Sequence, residues 1–462
     1  MHGHTTELVT NLLLPGMYDV RSMAQSKTGN YSLNSIDIID GDDYGQYECV
    51  NRLRSAMQHP DLQQLVLSEI EMNEHVIDAL LELLRSGRNW EAIYLEFCEG
   101  ELARAIGAIL ALSNVSKIEI AGNLTGECIA TLSTALSKNS SLVELALLAR
   151  LDGDNARILI NGWSQCRSLR KIRFIKCSLE PSSIDPLSQF LRTDNRLDAI
   201  QFDRCIVADN DIAALVTSLE DHSTLKDLRI GANLCDPNLQ RGIAKILSRN
   251  RLRHLSLRSA IPPSHDASFD TTWMVDALQG SNSLKILDLS ENCLDDSGLE
   301  LLVAVFCSND SLEEVRFHEN RITNAGAKLL GGRLPEMRGI RRIFLHRNRF
   351  DEEGAEAILN GVRRNDAIEE LTIPTMGRNM KMSKYQRLIS YETCLNSGGK
   401  KALKISGFPP NLWSLVLERS GRHLWTPYCE FQMQSLEKWK DMQQADVIFH
   451  LIQGAGMEGC YS

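Results

Sequence analysis

A chain of 462 residues in which 43% are hydrophobic can bury a large interior, and that composition excludes a disordered polymer. Its 60 acidic residues against 50 basic ones leave a formal charge of −10, which excludes sequence-independent binding to phosphate backbones or anionic membranes as a main activity. Twelve cysteines are too dilute for a disulfide scaffold, and no C-x-x-C pair offers a zinc site, so they read as reduced thiols of a cytoplasmic or nuclear protein.

Residues 1–43 carry no periodic pattern and set Asp37, Asp40, Asp42 and Asp43 among Gly, Ser and Asn. A flexible acidic segment is expected there, with a short helix over Glu7–Leu14. Leu8–Leu14 is too short to span a bilayer and no basic region precedes it, so neither an anchor nor a leader is expected. Tyr47, Val50, Leu53 and Met57 then recur at helical spacing and predict a helix that covers the open end of a periodic segment beginning at residue 59. Residues 1–58 thus form an N-terminal region.

From residue 59 to 376 the chain repeats itself. The segments SLKILDLSENCLDDSG, SLEEVRFHENRITNAG and GIRRIFLHRNRFDEEG lie in register at intervals of 28 residues and fit L-x-x-L-x-L-x-x-N-x-L. That spacing identifies leucine-rich repeats. Apolar residues two apart share one side of a short strand, the Asn ends it by bonding loop backbone, and Asp295, Thr323 and Asp351 stand as helix N-caps. About six apolar side chains worth roughly 1.5–3 kcal/mol each cannot offset the ordering of a whole unit at roughly 1–2 kcal/mol per residue. A unit folds only by stacking on its copies.

First strand positions fall at Leu62, Trp90, Val115, Leu142, Leu169, Leu197, Leu225, Leu252, Leu284, Leu312, Ile340 and Ile368, which makes eleven repeats and a terminal strand. Cys98, Cys177 and Cys205 occupy the Asn position. Two units depart from the pattern. Arg150 replaces the Asn in the fourth, and Ala260 replaces it in the eighth, where IPPSHDASFDTTW lengthens the unit and offers Trp273 as a docking anchor. Between strands, Asp236-Pro237 reads as an N-cap followed by Pro in the first helical position. Long units with a full outer helix resemble the ribonuclease-inhibitor-like subtype of leucine-rich repeat protein. The resemblance implies an α/β horseshoe with a concave parallel β-sheet, convex helices and helical caps.

After Pro374 the period stops. Residues 377–462 are expected to form a helical C-terminal cap and tail, with helices over Lys384–Leu395, Leu412–Arg419 and Ser435–Ile452, and with Trp413, Leu415 and Leu417 sealing the last repeat. The segment around NLWSLVLERS is similar to the ending of diatom leucine-rich repeat proteins.

No Walker loop, G-x-S-x-G elbow, H-E-x-x-H pair or dinucleotide fingerprint is present, so no catalytic, cofactor or metal residue is assigned and no enzyme is expected. The outward strand positions carry a late cationic and aromatic cluster. Arg341 and Arg342 lie between Glu313-Glu314 and Glu369-Glu370 on neighbouring strands, so cross-strand pairing is expected to neutralise them and nucleic acid is not a partner. His318 and His346 share one register. A third metal ligand is missing beside them, where Ser290 and Pro374 stand, and a pH-sensitive contact surface is expected instead. The expected function is a non-catalytic scaffold that binds a protein partner through Arg258, Arg316, His318, Arg342, Phe344 and His346, with no membrane and no small-molecule substrate. One alternative is regulation of a small GTPase, by resemblance to the Ran GTPase-activating protein, with Arg150 as the exposed arginine. Another is a sensor-type recognition module.

Overall fold

In each strand of this protein the apolar residues two apart turn to one side, and that alternation builds the interior. The computed structural model describes residues 35–39, 46–231, 236–258, 269–375, 380–394 and 396. The chain divides into two compact units, Met1–Glu119 and Ile120–Ser462.

In the first unit, strands β1 (Ser35–Ile39), β2 (Gln64–Ser68) and β3 (Ala92–Glu96) run parallel in that order, with Ile38 beside Leu67 and Leu67 beside Leu95. Helices α1 (Gln46–Ala56), α2 (Glu74–Leu84) and α3 (Leu102–Leu112) follow the strands. The strand β1 falls inside the segment expected to be flexible. Ile36 and Ile38 alternate with Asp37, and Ile38 is buried, so a strand period was hidden among acidic residues. Helix α1 forms as expected and packs against α2, but on a different face. Cys49, Leu53 and Ala56 are buried while Tyr47 is 85% exposed, because the buried stripe is set by where α2 lies. Trp90 is buried in this interior.

Strand β4 (Lys117–Ala121) spans the point of division. Beyond it come β5 (Glu144–Leu148), β6 (Lys171–Ile175), β7 (Ala199–Asp203), β8 (Asp227–Ile230), β9 (His254–Ser256), β10 (Ile286–Asp288), β11 (Glu314–Arg316), β12 (Arg342–Phe344) and β13 (Glu370–Thr372). They pair in chain order, each parallel to the next. Such pairing needs a crossover, and a helix supplies each one: α4 (Gly126–Lys138), α5 (Gly153–Gln165), α6 (Pro181–Thr193), α7 (Asp209–Ser218), α8 (Pro237–Ser248), α9 (Thr272–Gln279), α10 (Asp296–Ser308), α11 (Asn324–Arg333) and α12 (Glu352–Arg363). The expected α/β solenoid of parallel strands alternating with helices is what forms.

Local signals account for these elements. Asp295, Thr323 and Asp351 each accept a hydrogen bond from the first turn of the following helix, at Gly298, Ala325 and Glu353. Asp236 caps α8, with Pro237 in its first turn. Asn320 Nδ2 donates to Leu289 O at 2.9 Å, and its Oδ1 accepts from the amides of Asn292 and Leu294 at 3.0 and 2.9 Å. Asn348 repeats the arrangement with Phe317 O and Ile322 N. Cys98, Cys177 and Cys205 stand in for Asn by donating Sγ–H to Leu67 O, Leu147 O and Phe174 O at 3.3, 3.0 and 3.3 Å.

A second polar column closes the other end of the strands. Asn309 and Asn365 each donate to two carbonyls of the preceding unit and accept from the amides that open the next strand, at Leu312 and Ile368. At the chain's later end, α13 (Met380–Cys394) covers the helix expected over Lys384–Leu395 as far as Cys394, and Gln386 donates to Leu371 O of the last strand and accepts from Ile373 N just beyond it. The expected helices over Glu7–Leu14, Leu412–Arg419 and Ser435–Ile452, the sealing role of Trp413, Leu415 and Leu417, and most of the eighth-repeat insertion with Ala260 lie outside the described residues. Among the described residues no helix is long and apolar enough to cross a membrane.

Candidate functional site

Parallel register places the outward residues of neighbouring strands in rows, and two of those rows carry the candidate site. The central row reads Ser256, Asp288, Arg316, Phe344 and Thr372, each opposite the next. Next to it stand Glu314, Arg342 and Glu370, again mutually opposite. Two residues beyond the central row come Arg258, Ser290, His318 and His346.

The cations of this face are held by its anions. Glu314 receives Arg342 Nε at 2.5 Å and Arg316 Nε at 2.5 Å. Burial alone would raise the Glu314 carboxyl; the guanidiniums of Arg342 and Arg316 hold it below the ordinary carboxylate value. Arg341 reaches Glu369 at 2.6 Å and Arg347 reaches Glu319 at 2.6 Å. The guanidinium of Arg316 also lies 5.8 Å from the centre of the Phe344 ring, a cation–π contact.

His318 and His346 stack, with ring centres 4.5 Å apart and planes 9° from parallel. Each ring is anchored through Nδ1, His318 to Ser290 Oγ at 2.8 Å and His346 to Thr372 Oγ1 at 3.2 Å. Burial and then the neighbouring His346 push the His318 ring down to about 4. Burial and then Arg347 lower His346 as well. Both rings are therefore held below the ordinary imidazole value, chiefly by burial, which moves the expected pH-sensitive contact towards acid.

Arg258 lies at the margin of the cluster. Its Nε donates to Glu291 Oε1 at 2.7 Å, and Arg204, from beyond β7, reaches the other oxygen of the same carboxylate at 3.0 Å. Glu291 and Glu319 also bring ligand-type atoms to His318, all three residues' atoms lying within 4.8 Å of one another. The sequence reading placed only Ser290 and Pro374 beside the histidines and missed that these carboxylates approach them. Three guanidiniums, of Arg204, Arg258 and Arg347, already hold the two carboxylates, and their field opposes a bound cation.

These charged residues share one signal with others at the same place in the repeat. Glu291, Glu319, Arg347, Arg204 and Lys176 each precede the Asn or Cys that ends a strand, and all have left-handed backbone, with φ of 60°, 57°, 57°, 52° and 51°. None is glycine, and such a conformation costs roughly 1–2 kcal/mol per residue. The kink turns these side chains out of the strand alternation, so a count by twos does not bring Glu291 and Glu319 to the histidines. The GTPase-type candidate Arg150 is an exposed residue that pairs with Glu180 at 2.5 Å. Its loop is closed by Asp152, which accepts from Asn155 N as the cap of α5. Trp273 is half-buried in α9.

The family model described as a leucine-rich repeat matches residues 280–303. Among solved structures, an internalin from Listeria monocytogenes aligns at 14% identity over 71% of this chain and 89% of its own, with a TM-score of 0.35. The actin-binding site 2 region of leiomodin-1 aligns at 10% identity over 37% of this chain and 96% of its own, with a TM-score of 0.29. No curated protein sequence matches the chain.

Proposed function

We propose that this leucine-rich repeat protein is a non-catalytic scaffold of the cytoplasm or nucleus, which binds a protein partner on the open face of its repeat sheet through Arg258, Arg316, His318, Arg342, Phe344 and His346. The observation that carries the reading is the neutral stacked imidazole pair beside the half-buried Phe344 ring, framed by guanidiniums whose charge is met within the face. An aromatic centre with an internally paired polar rim suits a protein surface, where Arg and aromatic anchors supply most binding energy. A polyanion would find few unpaired cations to displace its counterions, which speaks against nucleic acid.

On this reading residues 1–58 and 377–462 are terminal regions flanking repeats of the ribonuclease-inhibitor-like subtype over 59–376. A full helix between successive strands supports that subtype, and the segment around NLWSLVLERS supports kinship with diatom proteins of this kind. The test is crosslinking of the native protein to capture a stable partner, repeated with Phe344→Ala and His346→Ala combined. Loss of two central anchors should weaken the complex by tenfold or more, on the order of 2 kcal/mol. Unchanged affinity places the binding face elsewhere.

A further inference from the structure

Two of the thiols that replace Asn face each other. Ile175 pairs with Asp203 in the β6–β7 ladder, and the pairing resumes at Ser178 and Ile206, which sets Cys177 opposite Cys205. Neighbouring strands stand about 4.8 Å apart, within the roughly 4.4–6.8 Å between Cα atoms that a disulfide spans. Both side chains turn inward, each giving its S–H to a carbonyl of the preceding repeat, Cys177 to Leu147 O and Cys205 to Phe174 O.

The partners are not equivalent. The neighbouring Cys205 lowers the Cys177 thiol; burial opposes the shift, and the backbones of Ala149 and Ile175 support it. Cys177 in turn, together with burial, pushes Cys205 up. Cys98 holds the same place in its own repeat, but the matching positions of the repeats before and after it are Ile70 and Asn123, so no second thiol is offered. Burial pushes Cys98 up to about 11. Cys177 is fully buried, but Cys205 is half-buried next to Arg204 and Ile206, the latter 67% exposed, and this gives a small oxidant its route.

We propose that Cys177 and Cys205 form a dithiol site oxidised by hydrogen peroxide, with Cys177 as the attacking thiol and Cys205 as the resolving one. The Cys177 thiolate attacks a peroxide oxygen, the O–O bond breaks, and hydroxide leaves to become water on protonation. Cys205 sulfur then attacks the resulting Cys177 sulfenic acid, the S–O bond breaks, and a second water leaves with the Cys205 proton. The two thiols lose two electrons and one hydrogen peroxide is reduced to two waters. Oxidation removes the Sγ–H donors from Leu147 O and Phe174 O and ties together the loops that hold Lys176 and Arg204. Arg204 is the residue that reaches Glu291 beside the proposed binding face, so the site lies on a direct contact to that face.

The experiment treats the full-length protein with hydrogen peroxide, blocks remaining thiols under denaturing conditions, and maps peptides by mass spectrometry without reduction. The expected product is one linked peptide pair containing Cys177 and Cys205, reversed by dithiothreitol, while Cys98 stays alkylatable. In Cys205→Ser, Cys177 should instead accumulate as a sulfenic acid trapped by dimedone. Recovery of Cys177 and Cys205 as free thiols, or oxidation of Cys177 no faster than Cys98, overturns the proposal. Both outcomes are read in the unsubstituted protein, so they stand even if the variant fails to fold.

Discussion

The repeats around β6 and β7 and those around β10 to β12 solve one problem in two ways. Each strand must end, and a buried carbonyl of the preceding unit must be met. In the later repeats Asn320 gives an N–H to Leu289 O and offers Oδ1 to two loop amides. In the earlier ones Cys177 gives Leu147 O its S–H and draws only a long contact from Ala149 N at 3.4 Å. There the loop backbones pair with one another, Arg150–Leu151 against Ser178–Leu179. The pattern recurs in the first unit, where Glu71–Met72 pairs with Glu99–Gly100 next to Cys98. An amide closes the loop by itself; a thiol needs the neighbouring loop, and gains an oxidisable sulfur.

Substitution of the strand-ending residue should separate the two regions most clearly. Asn320→Ala takes the side-chain partner from Leu289 O and from two loop amides and should cost about 3–5 kcal/mol in denaturant unfolding, each buried group being worth roughly 1–3 kcal/mol. Asn320→Cys keeps the donor and loses the acceptor, so about half that loss is expected. Cys177→Ala, whose loop has its own backbone pairing, should cost only about 1–2 kcal/mol. Equal losses for Asn320→Ala and Cys177→Ala would erase the distinction.

A smaller effect comes from acid. The His318 pKa is lower in the folded chain than its unfolded value of 6.5, so the unfolded state binds the extra proton first. Stability should therefore fall as pH drops from about 6.5 towards 4 and level off below, by about 1 kcal/mol once solvent screening is allowed for. His318→Gln should flatten that part of the melting-temperature profile; an unchanged slope assigns the loss to other groups. Glu314, held low by Arg342 and Arg316, adds stability that is present above its unfolded value of 4.5 and lost as pH falls further. The smallest change is expected for Arg341→Gln, whose exposed pair with Glu369 is worth about 0–1 kcal/mol and should fade in salt.

Much of this was legible in advance because it depends on residues at fixed intervals. The period placed Glu314 opposite Arg342 and His318 beside His346, and the caps at Asp295, Thr323 and Asp351 are set by local chemistry. The buried column of Asn309 and Asn365 was passed over, since it lies outside the strand motif. So was the strand at Ser35–Ile39, whose Asp37 made a paired segment look solvated. Tyr47 was assigned to a buried stripe that α2 instead aligned with Cys49, Leu53 and Ala56.

Residue order alone fixes the repeating strand and helix, their parallel register and the residues that end each strand, because similar units stack on one another and local hydrogen bonds recur with the period. Packing between distant elements settled that Arg204 reaches past two strands to Glu291, that burial and then the neighbouring ring lower His318, and that Cys177 and Cys205 both turn inward. Those depend on left-handed kinks and side-chain rotamers, which respond to neighbours distant in the chain and leave no period to read.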